Sequence, residues 1–289
     1  MHIGADSSSH SPPPSALRDL GVLPAIRTGV HRNRMAIATA GLVATNVAAY
    51  AHFHKVWWDH PRTGFHLYRG WRRTSGSYDL GLGDSPWYHV DKCGHLFSAN
   101  LLSRYGAATA RWMGFSPSES DWVGLALASL LMLEIEIYDG FFAEWGFSLG
   151  DMIANQIGAA LPMVQRRSRL LEGLNVKLSY WPSGDPVYGR YPIEDYGGMT
   201  FWLCVDAHML LPPGARDYWP DMLDLALGYG TTEKGGGRQE LYLTLDVDLS
   251  KIPVRDPVLR AVAGALRDIH LPAPALQLRP HLVGHLCYF

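Results

Sequence analysis

The feature that most constrains the fold of this chain is a series of polar side chains at helical spacing among long apolar segments. The series consists of three pairs, Asp91 and His95, Glu136 and Asp139, and Asp151 and Asn155. Residues three or four positions apart share one face of a helix, so each pair is predicted to lie on one face of its own helix. Apolar runs such as 123–133 and 153–164 separate the pairs. Because isolated polar groups are costly to bury, we expect the helices to bring these side chains together.

Start and stop signals define three helices around these pairs. The first is predicted over 91–112. The second follows a Ser-Pro-Ser-Glu capping box at 116–119 and runs to residue 138. The third begins at Ser148, whose hydroxyl can cap it, and ends near Arg166.

The favoured interpretation of the candidate site is structural. The polar groups would then serve as helix caps and interhelical ion pairs: Asp91 and Ser148 as caps, and Lys92 and His95 paired with Glu136 or Asp139. Paired buried charges can fix one helix arrangement without adding much net stability. Ion pairs account for all of these residues, and no nucleophile elbow or anion-binding loop accompanies them.

Two chemical interpretations stay open beside it. In an enzyme, His95 would be a general base oriented by Asp139 or Glu136, acting on a lipid-linked envelope substrate. Lys92 or Asn155 would stabilise an oxyanion. The full catalytic set would be Asp91, Lys92, His95, Glu136, Asp139, Asp151 and Asn155. In a metal site, these oxygen-rich side chains would favour Ca²⁺ or Mn²⁺ over Zn²⁺. Its ligands would be His95, Glu136, Asp139 and Asp151.

The N-terminal region indicates a tail followed by a membrane anchor. Residues 1–33 are rich in Ser, Pro and Arg and are predicted to form a tail. The apolar run 35–51 follows several arginines and predicts an anchor helix over 34–54 with a cytoplasmic N-terminus. Its 17 residues would rise about 26 Å, slightly short of a hydrocarbon core of about 30 Å. A signal peptide and a buried Ala-rich helix are the alternatives.

Two further domains are predicted after the anchor. Residues 55–170 would hold an aromatic, basic interface loop and the three helices. The loop side chains of interest are Trp57, Trp58, Trp71, Trp87, Arg69, Arg72 and Arg73, with His52, His54, His60 and His66 as solvent or interface groups. Residues 171–289 would form a β-rich domain with a C-terminal helix over 257–269. Its strands are predicted at 175–181, 199–205, 223–229 and 239–249, with a Gly235-Gly236-Gly237 hairpin turn before the last and a Pro-rich tail at the end. The fold class is therefore α+β and membrane-associated.

The clearest strand is 239–249, where residue character alternates with a period of two. Leucine and valine occupy one face, and Glu240, Tyr242, Thr244, Asp246 and Asp248 occupy the other. Such alternation is typical of a half-buried strand.

The ordered spacing of the polar residues also resembles a known family. The motifs are Asp91-Lys92-x-x-His95, Glu136-x-x-Asp139-Gly140, Ser148-x-x-Asp151 and Asn155-x-x-Gly158, with Asp195–Trp202, Leu225–Gly230 and Tyr242–Asp248 in the second half. They resemble the YfiM-like bacterial envelope proteins and, more loosely, the VanZ-like membrane proteins, over about residues 85–289. The resemblance implies a location in the envelope more than a reaction. No lipobox cysteine follows the apolar run, which speaks against lipoprotein anchoring.

Composition excludes several classes of function. The formal net charge of −2 argues against a nucleic-acid partner. No haem-attachment, dinucleotide-binding or Walker motif is present, so no cofactor is predicted, and three scattered cysteines form no disulfide framework. Ten Trp and fourteen Tyr are typical of membrane and protein interfaces.

These observations favour a non-catalytic accessory or scaffolding subunit of a bacterial inner-membrane complex. Its partners would be integral membrane subunits and lipid, with the main domain on the periplasmic face. The sequence leaves open whether the helices within 91–165 span the membrane or lie on it. An extrinsic domain is favoured because Asn100, Ser103 and Arg104 interrupt the first helix. Photosynthetic reaction-centre and light-harvesting assemblies, respiratory complexes and transport machines are candidate complexes.

Overall fold

A computed structural model describes residues 29–70, 81–83, 85, 87–187, 189–232 and 237–289. The predicted tail up to residue 28, Trp71, Arg72, Arg73 and most of the Gly235-Gly236-Gly237 turn lie outside this described part. The fold is α+β, as predicted. The helices are α1 Arg32–Val56, α2 Val90–Met113, α3 Pro117–Asp139, α4 Leu149–Gln165, α5 Arg169–Glu172, α6 Ala207–Leu210, α7 Pro213–Arg216 and α8 Pro257–Leu266. The strands are β1 Leu174–Tyr180, β2 Met199–Asp206, β3 Leu223–Thr231, β4 Gln239–Val247, β5 Ala273–Arg279 and β6 Val283–Tyr288.

Helices α2, α3 and α4 form a closely packed bundle. Its buried core is made of small and flexible side chains: Ala99, Ala128, Met132 and Ala159. Glycine is required at two contacts, because a Cβ at Gly124 would collide with the carbonyl oxygen of Ser103, and one at Gly158 with that of Leu96. Small residues at these positions let the helix backbones approach one another, and this close approach brings the polar ends of the helices together.

Two of the predicted helix caps are confirmed, and one is wrong. Before α3, Ser116 Oγ accepts from the Glu119 backbone N–H at 3.3 Å, and Glu119 Oε2 accepts from the Ser116 N–H at 2.8 Å. Before α4, Ser148 Oγ accepts from the Asp151 N–H at 3.1 Å. Asp91 does not cap α2. His89 is the N-cap residue with a left-handed backbone (φ 67°), and Asp91 lies inside the first turn.

Helix α1 contacts the bundle at separate points and leaves most of its surface exposed. Its start is joined to the end of α2 by a bond from the His31 N–H to the Met113 carbonyl (2.8 Å), and its middle to the end of α3 by Asn46 Nδ2 and Glu134 Oε2 (3.1 Å). Among the described helices, α1 alone is long and apolar enough to cross a membrane, a property that signal sequences share. Its apolar window is not buried in the protein, so the alternative of a buried core helix does not fit.

The second half of the chain is a six-stranded antiparallel sheet in sequential order. The four predicted strands are confirmed, and the antiparallel pairing of β3 with β4 confirms the predicted hairpin. The predicted Pro-rich tail instead forms β5 and β6, and α8 ends at Leu266 rather than residue 269. Gly228 is needed at the centre of the sheet, because a Cβ there would collide with the ring of Trp202 on β2.

The sheet buries its polar face and exposes its leucines. On β4 the predicted alternation is present, but Tyr242, Thr244 and Asp246 are buried whereas Leu243 and Leu245 are 45% and 41% exposed. Half-buried sheets usually show the reverse pattern. We call the exposed set the leucine face; its members are Leu203, Leu225, Leu227, Leu243, Leu245, Leu276 and Leu278.

The bundle contacts only part of this outer face. Val90 and Phe97 of α2 pack with Trp87 against Phe201 of β2, and Leu178 of β1 joins this cluster. The contact fixes the sheet beside the start of α2, where the polar residues of the bundle converge. The leucine face lies beyond it, and its side chains are 36–45% exposed.

Candidate functional site

The polar residues predicted from helical spacing do converge in the structure. They lie at the end of the bundle where α2 and α4 begin and α3 ends. We call them the polar cluster; its members are Asp91, Lys92, His95, Glu136, Asp139, Ser148, Asp151 and Asn155. Left-handed backbone at Tyr88 (φ 51°) and His89 (φ 67°) turns the chain into α2. Tyr229 holds this turn by donating its hydroxyl to the Tyr88 carbonyl at 2.6 Å.

Lys92 links two carboxylates across the helix interface. Its Nζ lies 2.8 Å from Asp91 Oδ2 and 2.8 Å from Asp151 Oδ1, and all three side chains are less than one-fifth exposed. Burial alone would lower the pKa of Lys92, but the charges of Asp151 and Asp91 outweigh burial and raise it. Lys92 therefore stays an ammonium that ties α2 to α4. The predicted partners, Glu136 or Asp139, are not the ones it contacts.

His95 lies at the centre of the polar cluster. Its Nδ1 is 3.1 Å from Asn155 Oδ1 and 3.5 Å from Glu136 Oε1, and its Nε2 is 3.6 Å from Asp151 Oδ1. The ring thus touches both neighbouring helices, α3 through Glu136 and α4 through the other two. The expected contact between His95 and Glu136 is present.

Glu136 is a buried acid with a shifted pKa. Burial raises the pKa of its carboxyl well above the usual range, and the negative charges of Asp151 and Asp139 raise it further. The Ser148 backbone N–H, 3.3 Å from Oε2, and the charge of Lys92 oppose this shift. The neutral carboxyl is favoured, so the contact of Glu136 with His95 is better described as a polar contact than as an ion pair.

Asp139 is held by a residue that the sequence analysis did not pair with it. Trp58, just after α1, donates its indole N–H to Asp139 Oδ1 at 2.7 Å. Burial raises the pKa of Asp139 to about 7, although the Trp58 bond and the His95 charge oppose the shift. Of the two acids expected to pair with Lys92 and His95, Asp139 is bound by Trp58, and Glu136 is the one that His95 contacts. The sequence shows two adjacent tryptophans, Trp57 and Trp58, after the apolar run, but it does not indicate which residue they would contact.

Tyr196 is a second residue that sequence reasoning missed. It precedes β2 in a short helical turn, and a Cβ at Gly94 would lie 3.4 Å from its ring. Burial and the carboxylates of Asp91 and Asp151 raise the pKa of its hydroxyl. Tyr196 therefore stays protonated beside the polar cluster, and a hydroxyl donor there could serve a structural or a chemical role.

A metal ion fits only part of the predicted ligand set. Ligand atoms of His95, Glu136 and Asp151 lie within 4.8 Å of one another, but Asp139 does not belong to this group. The Lys92 ammonium already occupies Asp151 Oδ1 at 2.8 Å, and its positive charge opposes a second cation. The geometry therefore favours an interhelical link over a metal centre.

A second buried polar centre lies on the inner face of the sheet. Asp246 accepts from Lys177 Nζ at 2.5 Å and lies 2.8 Å from His270 Nδ1, and all three side chains are at most 1% exposed. The ligand atoms of Cys204, Asp246 and His270 lie within 4.8 Å of one another. Burial raises the pKa of the Cys204 thiol. This centre could not be predicted from the sequence, because its members come from four separate segments.

Comparison with known proteins adds one match. Residues 83–167 match the model of a family described as predicted periplasmic lipoprotein (DUF2279). The matched segment contains α2, α3 and α4 and ends before the sheet. Neither the curated proteins nor the solved structures include one that matches this chain. The match and the apolar helix α1 together indicate a membrane-associated protein of the bacterial envelope.

Proposed function

We propose that this protein is a non-catalytic accessory subunit of a larger membrane protein complex in the bacterial inner membrane. Helix α1 is its anchor, and its neighbours are integral membrane subunits and lipid. The observation that carries the proposal is the leucine face. A chain that buries lysine, aspartate and histidine in a sheet while exposing seven leucines is suited to apolar surroundings.

The register of the strands makes the leucine face continuous. Leu203, Leu227, Leu243 and Leu276 are successive cross-strand partners on β2 to β5, and Leu225 faces Leu245 beside them. Contiguous exposed apolar patches mark interaction sites on soluble proteins. Polar-in and apolar-out alternation is also the pattern of strands that face lipid. Both patterns support an apolar partner for the leucine face.

The bundle shows the same distribution of polarity. Its polar cluster is enclosed, whereas Trp122, Leu130 and Ile157 point outwards and are more than half exposed. In this proposal the polar cluster is an interhelical lock: Lys92 and His95 tie α2 to its neighbours, so a rigid apolar surface is presented to partners.

Charge supports a direction for the anchor. Arg32 and Arg34 lie at the start of α1, and Arg34 donates to the carbonyl of Trp112, the residue after Arg111, at 2.8 Å. Arginine favours the cytoplasmic end of membrane segments. We therefore place the N-terminus in the cytoplasm and the polar cluster towards the periplasm. The finer kinship with the YfiM-like proteins belongs to the same proposal, as does a periplasmic position for the end of the main domain that carries the polar cluster.

Native gel electrophoresis of gently solubilised membranes, with mass spectrometry of co-migrating chains, tests the proposal. The wild-type chain is expected in a large assembly, and the double variant L227S/L243S is expected to leave it. Exposed leucines contribute little to the fold, so the variant should unfold near the wild-type temperature. The control L210S/L282S changes two exposed leucines outside the leucine face and should stay assembled. A wild-type chain that always migrates alone would contradict the proposal.

The identity of the complex follows from the same gel. Photosynthetic assemblies are one candidate class, and they would be recognised by pigment that migrates with the protein. Respiratory and transport complexes would be recognised by their own chains.

One observation favours an enzyme as the second candidate function. Two acids with raised pKa values, Glu136 and Asp139, lie around His95, and perturbed acids of this kind are common in active sites. The reaction would be acid–base chemistry on a lipid-linked envelope substrate. A His95→Ala protein that folds and assembles with its partners, yet fails to complement a deletion strain, would favour this second function.

A further inference from the structure

We propose that Arg111, Arg166 and Arg167 form a binding site for the phosphate of an anionic phospholipid. We call these three residues the arginine cluster. They lie at the end of the bundle opposite the polar cluster, where α2 and α4 end and α3 begins. The inference deepens the proposed membrane location by naming a ligand.

The three guanidiniums converge on one carboxylate. Asp121 is buried at the start of α3, and Arg166 Nε donates to its Oδ2 at 3.0 Å. Arg167 Nη1 lies 3.6 Å from Oδ2 and Arg111 Nη1 lies 3.9 Å from Oδ1. Arg166 therefore holds Asp121, while the other two guanidiniums are too distant for good hydrogen bonds. Arg167 Nη1 instead donates to the Met163 carbonyl at 3.0 Å. Within the described residues, the other donors of Arg167 and those of Arg111 have no hydrogen bond and can serve another acceptor.

Charge at this end of the bundle is unbalanced. Three positive charges face one negative charge, and each arginine side chain is at least 40% exposed. Burial lowers the pKa of Arg166, and repulsion from Arg111 and Arg167 lowers it further. Glu119, which accepts from the Ser116 N–H in the capping box, adds a second negative charge at the start of α3, and the three arginines still exceed it. An anion that bridges the exposed guanidiniums would relieve the repulsion, and phosphate matches the geometry of arginine donors.

The surroundings favour a lipid phosphate over a free phosphate ion. Trp122, next to Asp121, is 58% exposed, and Trp112, next to Arg111, is 45% exposed. Tryptophan is enriched where membranes meet water, at the level of the headgroups. Arg34 of α1 lies over the Trp112 ring at 5.4 Å, so the start of the apolar helix is at the same level. An anionic phospholipid matches all three features of the site: its phosphate matches the arginines, its headgroup region the tryptophans, and its acyl chains the apolar helix α1.

Native mass spectrometry of the purified full chain in detergent tests this site. The protein is titrated with phosphatidylglycerol, phosphatidylcholine or inorganic phosphate. The variant R111Q/R167Q removes the two distant guanidiniums and keeps the Arg166 bond to Asp121. The control R190Q/R255Q removes two exposed arginines elsewhere and changes the net charge equally. Circular dichroism checks that each protein is folded.

We expect the wild-type chain to bind phosphatidylglycerol more tightly than either other ligand. R111Q/R167Q should bind it about thirtyfold more weakly, as expected for the loss of two arginines near an anionic surface, while the control binds like wild type. Should R111Q/R167Q fail to fold, Arg167→Gln alone provides the comparison, with an expected loss of about fivefold.

Three results would overturn the inference. These are equal binding of phosphatidylglycerol and phosphatidylcholine, inorganic phosphate bound as tightly as the lipid, or an arginine-cluster variant that binds like the control. The measurement uses isolated protein, so its failure leaves the gel result on partner subunits intact. Conversely, a chain that migrates alone can still bind the lipid.

Discussion

Lys92→Met should destabilise the protein because it removes the cation that contacts both Asp91 and Asp151 directly. The Lys92 Nζ is 2.8 Å from both Asp91 Oδ2 and Asp151 Oδ1, and the three side chains are 13–19% exposed. Breaking one side of a buried ion pair typically costs about 3–5 kcal/mol, because the remaining charge is left without a partner. At this low exposure, solvent does not replace the lost ammonium. We therefore expect a loss of free energy of unfolding on the order of 3 kcal/mol at pH 7.

The pH dependence and a double variant sharpen this prediction. Burial opposes ionisation of Asp151, but His95 and Lys92 outweigh it and lower the pKa of Asp151. A lowered pKa contributes stability above the unfolded value of about 4, and this stability is lost as the pH falls through the folded value. The difference between wild type and Lys92→Met should thus shrink below about pH 4. Adding Asp151→Asn should recover part of the loss.

The assay is unfolding followed by circular dichroism in mild detergent at several pH values. A Lys92→Met protein within about 0.5 kcal/mol of wild type at pH 7 would refute the interhelical lock, since that is the range of an ordinary surface substitution. A deficit that is equally large at pH 3 would show that lost packing, rather than lost charge, is responsible.

Three further predictions concern the acids and the anchor. Glu136→Gln replaces a carboxyl held neutral by its raised pKa with an amide of the same shape, so the thermal midpoint at pH 8 should be unchanged or higher. Because the folded pKa of Glu136 is raised, the stability of the wild type should fall as the pH rises above about 4.3. A clear loss of stability in the variant would indicate that Glu136 is ionised. Trp58→Phe removes the donor to Asp139, so the pKa of Asp139 should rise above about 7 and the thermal midpoint should fall. Alkaline carbonate should leave the intact chain in the membrane pellet, and deletion of residues 1–52 should release much of it; release of the intact chain would exclude a spanning anchor.

Local signals in the sequence were sufficient to predict the helical half. The boundaries of α3 and α4 follow from Ser116, Pro117 and Ser148, whose effects act within one helical turn. Polar residues three or four apart predicted the polar cluster because helical spacing is also local. Strand β4 was predicted from the alternation of its side chains, which is also a local signal.

Long-range contacts account for what the sequence did not reveal. β5 and β6 were missed because Pro272, Pro274 and Pro280 mark the segment as irregular, and only pairing with β4 makes it a strand. The partner of Asp139, Trp58, is remote in sequence and is brought close by the packing of α1. Alternation on β4 identified two faces, but which face is buried depends on the surroundings of the whole sheet.

The position of the family match separates two properties of this chain. The matched segment, 83–167, contains every member of the polar cluster and no member of the leucine face. The polar cluster therefore belongs to the part that matches the family model, although Trp58 and Tyr229, which support it, lie outside that part. The leucine face belongs to the sheet that follows. If the accessory-subunit proposal is correct, the choice of partner should reside in the sheet, so substitutions there should change assembly without changing the stability of the bundle.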